Sequence, residues 1–219
     1  NEITFLPMEI TINKIAEQIK ERLKKPLPGN EAHLTTRIKT KSEVTFPNTQ
    51  ETARPAAVLI LLFPFEDEIQ FFLTKRTEDV EHHKGQISLP GGIRENDESL
   101  NETALRETKE EVGIDSTKII ISGSLTPFFI PVTGYIVHPF IGWCKEKPST
   151  KIHDVEVNQL FSVSITELMD EKILQTEQWN IRGYDAIVPY YNFGKCKVWG
   201  ATAAILSEFK SILEDISSI

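Results

Sequence analysis

Residues 91–114 read GGIRENDESLNETALRETKEEVGI, and this stretch decides what the rest of the chain has to support. Between Leu100 and Val112 there is neither Gly nor Pro, and helix formers dominate. Ser99 stands at the N-cap position with Glu102 three residues on, and Gly113 is placed to end the helix. On such a helix Glu107, Glu110 and Glu111 share one face, because positions three and four apart are neighbours. Three carboxylates that close repel one another unless a cation lies between them. Hard oxygen donors on a rigid element suit Mg2+ or Mn2+. Most Glu-rich helices are only solvated faces. Here Gly92, Glu98, Arg106 and Gly113 accompany the glutamates at fixed offsets, which reverses that reading. A second stripe, Asn101, Leu105, Thr108 and Val112, is expected to face the core.

Written generally, the pattern is G-x5-E-x7-R-E-U-x-E-E-x-G-U, where U is a bulky aliphatic residue. It resembles the box of the Nudix hydrolases, with Thr108 in the aliphatic slot after Arg106 and Glu107. The resemblance implies an α/β fold, an α/β/α sandwich with a mixed sheet. It further implies a divalent cation held by Glu107, Glu110, Glu111 and the backbone carbonyl of Gly91. Glu98 and Arg106 are expected to pair and fix the loop against the helix. The implied reaction is hydrolysis of a diphosphate by metal-activated water. Two candidates stay open for the base, Glu110 and, outside the box, Glu156.

Upstream, residues 73–92 read LTKRTEDVEHHKGQISLPGG. This is similar to the signature of the coenzyme A diphosphatase subfamily, which has Arg where Glu81 stands and Phe where Leu89 stands. Trp199, Gly200, Ala201, Thr202 and Ala203 resemble a second segment of those proteins, and Glu156 and Val157 followed by Phe161 resemble a third. The resemblance implies coenzyme A or acyl-CoA as substrate, with 3′,5′-ADP and (acyl-)4′-phosphopantetheine as products. Arg76 would hold a phosphate by a bidentate pair, and Gly85 would allow close backbone approach. His83 and Gln86 either contact substrate or satisfy local hydrogen bonds, and Arg54 completes the substrate-binding candidates. Glu81 reverses a charge beside a polyanion and should weaken coenzyme A binding. The alternative is a Nudix pyrophosphatase for ADP-ribose, a dinucleotide or a nucleotide triphosphate. A third reading is an inactive Nudix domain that binds a ligand or protein; three intact, crowded glutamates speak against it.

The 219 residues suit one domain with an extension, read as residues 1–53 packed on a domain of 54–219. A net charge of −8 argues against a general nucleic-acid surface, yet a small phosphate substrate remains compatible because metal ions supply local positive charge. Two cysteines in this length, the lack of a signal-like opening and the short apolar runs point to the cytoplasm and away from the membrane. Whether the chain forms a homodimer stays open. An amphipathic helix is expected over 11–24, and no clear element over 26–53. A strand buried on both faces is expected from residue 54 to 63, and its hairpin partner over 69–74. Further strands are expected over 118–125, 135–143, 155–163, 186–191 and 196–199. A short helix should span 164–169 and a packing helix 201–216.

Overall fold

The protein is seen in a computed structural model that describes residues 8–41, 43–77, 86–181 and 183–217, with side chains from residue 11 onward. In chain order its elements are α1 (Met8–Arg22), α2 (Asn30–Leu34), β1 (Lys39–Thr40), β2 (Arg54–Phe65), β3 (Glu68–Arg76), β4 (Ile87–Ser88) and β5 (Gly91–Ile93). There follow α3 (Leu100–Val112), β6 (Ile120–Ser124), β7 (Phe128–Ile130), β8 (Tyr135–Trp143), β9 (Val157–Ser164) and α4 (Ile165–Met169). The chain closes with β10 (Leu174–Ile181), β11 (Tyr184–Asn192), β12 (Lys197–Trp199) and α5 (Gly200–Ser217).

β2 is apolar throughout because it divides its side chains between two cores. Ala56, Ile60 and Leu62 pack with α1 and α5, while Ala57, Leu59, Leu61 and Phe63 pack with α3. A strand covered on both faces has no solvent side to keep polar. Around it forms a mixed sheet in which β2 pairs parallel with β8 and antiparallel with β3 and β5. β9 and β4 border β3, and β6 and β7 border β8. Helices on both faces make this an α/β/α sandwich with an N-terminal helix in the larger core. β3 leaves β2 after the hairpin, and β5 takes its place beside the first residues of β2. That split sets Gly91 and Gly92 beneath the glutamates of α3.

A second antiparallel sheet, β1-β11-β10 with β12 also on β11, stands beside the first. Two of its strands depart from expectation. β10 is polar and lies outside the strands expected from sequence, and β1 lies in the segment 26–53 where no clear element is expected. α2 also falls in that segment; it is anchored by Glu208 of α5, which accepts from the Gly29 amide at 3.1 Å and lies 3.0 Å from His33 Nε2. β7 falls between the strands expected over 118–125 and 135–143. None of the described helices is long and apolar enough to cross a membrane.

Candidate active site

α3 begins as its sequence dictates: the Glu102 carboxylate accepts the Ser99 amide at 2.8 Å. It ends at Gly113, whose φ of 75° is left-handed backbone that favours glycine. The inward stripe differs from the expected one. Thr103, Ala104, Thr108, Glu111 and Val112 are buried, whereas Asn101 is exposed and Leu105 only half-buried. Asn101 is drawn into the cap, where its side-chain oxygen accepts the Glu102 amide at 2.9 Å. Thr108 is tolerated in the core because its hydroxyl donates to the Ala104 carbonyl one turn back, at 2.7 Å.

The three box glutamates occupy graded environments. Glu111 is 1% exposed, Glu107 14% and Glu110 57% by side chain, so one face of the helix passes from core to solvent across them. The Gly91 amide donates to Glu111 Oε2 at 3.3 Å, and Arg76 NH1 donates to Oε1 at 3.3 Å. Burial pushes the Glu111 carboxyl up to about 8; Arg76 and the Gly91 amide pull it down, and the charges of Glu107 and Glu156 push it further up. Burial also raises Glu107, which Arg106 partly opposes. Gly92 is required by space: a Cβ there would lie 2.4 Å from the Glu107 carboxyl carbon.

Arg106 ties the loop to the helix. It donates to Glu98 from Nε at 3.0 Å and NH2 at 2.8 Å, and NH2 also reaches the Ile93 carbonyl at 3.1 Å. NH1 donates to both Glu107 and Glu110 at 2.9 Å. Hydrogen bonds from Arg106 hold the Glu98 carboxyl at about 2. Thr103, unremarkable in sequence, is buried and donates to Glu98 at 2.9 Å.

Glu156 reaches this site through the loop that follows β8. That loop is pinned to the end of α3 by the Lys151 amide on the Val112 carbonyl (2.8 Å) and the His153 amide on the Glu111 carbonyl (3.0 Å). Such backbone tethers leave no sequence signal. Gln86 lies beside Arg76, its carbonyl accepting the Arg76 amide at 3.1 Å. Arg54 is not gathered with the glutamates. It donates to the Tyr135 hydroxyl at 2.6 Å from the opposite face of β2, three residues, or roughly 10 Å, before Ala57. Glu81, His83 and Gly85 lie outside the described residues.

Burial and neighbouring carboxylates raise Glu107 and Glu111, and with Glu110 and Glu156 beside them the site supplies the hard oxygen donors a divalent cation takes, so the donor chemistry fits such an ion. Among the described residues no three acidic, His or Cys side chains are closed on a common metal position; Arg106 engages Glu107 and Glu110 instead.

A glutamate-bearing helix docked over the split of a mixed sheet marks a class of phosphoanhydride hydrolases, and comparison with known proteins specifies which. Residues 53–185 match the NUDIX domain family. An uncharacterized Nudix hydrolase, NudL, of Photorhabdus laumondii is 31% identical over 156 residues, 71% of this chain and 82% of that protein. Nudix hydrolase 22, chloroplastic, of Arabidopsis thaliana is 27% identical over 215 residues, 88% of this chain and 69% of that protein. A crystal structure of a Nudix hydrolase from M. smegmatis, RenU, aligns with a TM-score of 0.52 at 15% identity, covering 83% of this chain and 94% of that one, a likeness of fold. The chain belongs to the Nudix hydrolase family.

Proposed function

We propose that the chain hydrolyses the phosphoanhydride bond of a nucleoside diphosphate derivative such as ADP-ribose, a dinucleotide or a nucleotide triphosphate. The observation that carries this reading is the buried Glu111 against the Gly91 amide, with Glu107 over Gly92 and both glutamates raised by burial and by the nearby charge of Glu156. Glu107, Glu110, Glu111 and the Gly91 carbonyl would hold Mg2+ or Mn2+, the cofactor type this family generally requires. Bound there, the cation offsets charge on the phosphate oxygens and favours ionisation of water. Arg76, 27% exposed, is placed to exchange its 3.3 Å contact with Glu111 for a substrate phosphate. Water attacks one phosphorus, its proton passes to Glu156 or Glu110, and the bond to the bridging oxygen breaks with the electron pair left on that oxygen. Arg106 and Glu98 keep the loop and helix in register.

Coenzyme A or acyl-CoA is the second reading, supported by the similarity of residues 73–92 to the coenzyme A diphosphatase signature. The deciding experiment incubates the protein with ADP-ribose, a diadenosine polyphosphate, a nucleoside triphosphate and coenzyme A, each with Mg2+ or Mn2+, and identifies products by mass. Cleavage of at least one at the anhydride is expected, and 3′,5′-ADP from coenzyme A would select the second reading. No cleavage of any of them would remove the proposal.

A further inference from the structure

Trp179, Tyr190 and Trp199 lie on one face of the second sheet, in the cross-strand pairs Trp179 with Ala186 and Trp199 with Tyr190. Trp179 stacks on Tyr190 at 5.7 Å and 25°, and Trp199 stands at 83° to Trp179 with ring centroids 5.4 Å apart. Tyr190 is buried at 2% exposure, whereas both indoles are only partly buried and neither packs into either core. Aromatic residues in small domains ordinarily bury their area in the core. The two indoles keep part of their surface open, and the cluster is braced by one carboxylate. The Glu177 carboxylate accepts from Trp179 Nε1 at 2.8 Å, from the Tyr190 hydroxyl at 2.5 Å and from Lys197 Nζ at 2.8 and 2.9 Å. Lys197 Nζ also lies 4.7 Å above the Tyr190 ring. Two indole planes are thereby fixed at a right angle, leaving a rigid, partly open corner.

The corner lies one short strand from β3. β12, which carries Trp199, runs beside β4. β4 pairs with Thr74 and Lys75 of β3, immediately before Arg76, and its chain continues into Gly91. The path from Arg76 to Trp199 thus crosses only β3, β4 and β12.

We propose that Trp199 and Trp179 form the subsite that stacks the nucleobase of the substrate. The inference rests on the nucleoside diphosphate reading. Base stacking on an aromatic side chain is sequence-tolerant and strong, about 1–3 kcal/mol per base. Loss of Trp199 therefore weakens substrate binding by roughly 5- to 150-fold. The metal site is untouched, so the loss falls on KM and leaves kcat within about twofold.

The binding arm of the test uses AMP and ribose 5-phosphate as probes of the whole protein, followed by tryptophan fluorescence. AMP should quench the emission saturably, ribose 5-phosphate should not, and Trp199→Leu should abolish most of the AMP response. Trp143 is buried in the larger core and serves as the silent background. The kinetic arm compares Trp199→Leu with Trp199→Phe and Trp179→Phe on whichever diphosphate is cleaved. Phe at either position retains a ring and should recover most of the lost KM, which a merely structural tryptophan would not require. Equal quenching by both probes, or an unchanged KM in folded Trp199→Leu, overturns the subsite while leaving the hydrolase reading intact. Saturable quenching by AMP without cleavage of any diphosphate upholds the subsite and overturns the hydrolase reading.

Discussion

Replacing Glu208 by Ala is expected to cost about 3–5 kcal/mol of folding stability, because it breaks a fully buried charged network. Glu208 sits on α5 with no exposed surface. Its Oε1 accepts from the Gly29 amide at 3.1 Å and the Thr126 hydroxyl at 2.7 Å, and both oxygens share the Thr126 amide at 3.1–3.2 Å. His33 Nε2 lies 3.0 Å from Oε2. Truncation leaves the Gly29 and Thr126 amides and the imidazole without this acceptor, each a loss of about 1–3 kcal/mol if it stays buried. Relaxation around the site keeps the total below the simple sum. At about 2–4 °C per kcal/mol for a chain of this size, the melting temperature should fall by roughly 6–20 °C. Glu208→Gln keeps one carbonyl acceptor and should lose less. Burial alone would raise the Glu208 carboxyl, but the hydrogen bonds from His33 and Thr126 outweigh it and hold it below the ordinary value. A depressed carboxyl stabilises the fold fully above its unfolded value of about 4.3, and this contribution vanishes as pH falls through the folded value. The gap between wild type and Glu208→Gln should therefore narrow in acid, as pH falls through the folded Glu208 value. Scanning calorimetry from neutral pH into acid is the assay. A melting temperature for Glu208→Ala within a degree or two of wild type would refute the reasoning.

Three other outcomes follow from the site. Glu111 has a raised carboxyl, so the opposite sign applies: without metal, stability should decline as pH rises from about 4.5 towards 8, because the unfolded chain ionises first. Mg2+ should consequently raise the melting temperature more at pH 8.5 than at pH 6, and Glu111→Gln should remove both trends and lower turnover by about a hundredfold or more; a flat profile in chelator would count against it. Gly92→Ala should sharply reduce turnover with little change in melting temperature, since the clashing group is the far end of the Glu107 side chain, whereas Gly91→Ala meets the Ala57 carbonyl at 2.3 Å and should destabilise the fold itself; parallel melts and rates of the two variants separate these effects. Thr108→Val should leave turnover unchanged and keep or raise the melting temperature, because the lost hydroxyl bonds only to its own helix; a clear drop in stability would show that the hydroxyl does more.

The elements that were legible in sequence carry their reason within a few residues. β2 reads as buried on both faces because it is, and α3 announces both its ends through Ser99, Glu102 and Gly113. β10 was missed because Leu174–Ile181 is a mostly polar strand at the margin of the second sheet, where Gln175, Thr176, Gln178 and Asn180 face solvent. Only its pairing with β11 over all eight residues makes it a strand, and pairing is not a local property. α2 is five residues long and cannot persist alone. Its anchor, Glu208, is 175 residues away from His33.

The glutamates show the same division inside the site. Spacing alone puts Glu107, Glu110 and Glu111 on one helical face, but says nothing of how deep each one sits. Depth is set by what the topology brings against the face: the Gly91 amide where β5 replaces β3, Arg76 from the end of β3, and Glu156 from a loop pinned to the end of α3. Glu111 meets all three and is the buried member. Glu110 accepts from Arg106 and is the one left in solvent. An immobile buried carboxylate suits a permanent ligand, whereas an exposed one on a flexible stem can move to take a proton. The base should therefore be sought between Glu110 and Glu156. Glu110→Gln and Glu156→Gln, compared at saturating Mg2+, should differ: the variant that loses the base drops kcat without a change in metal affinity, and equal losses in both would place the base elsewhere.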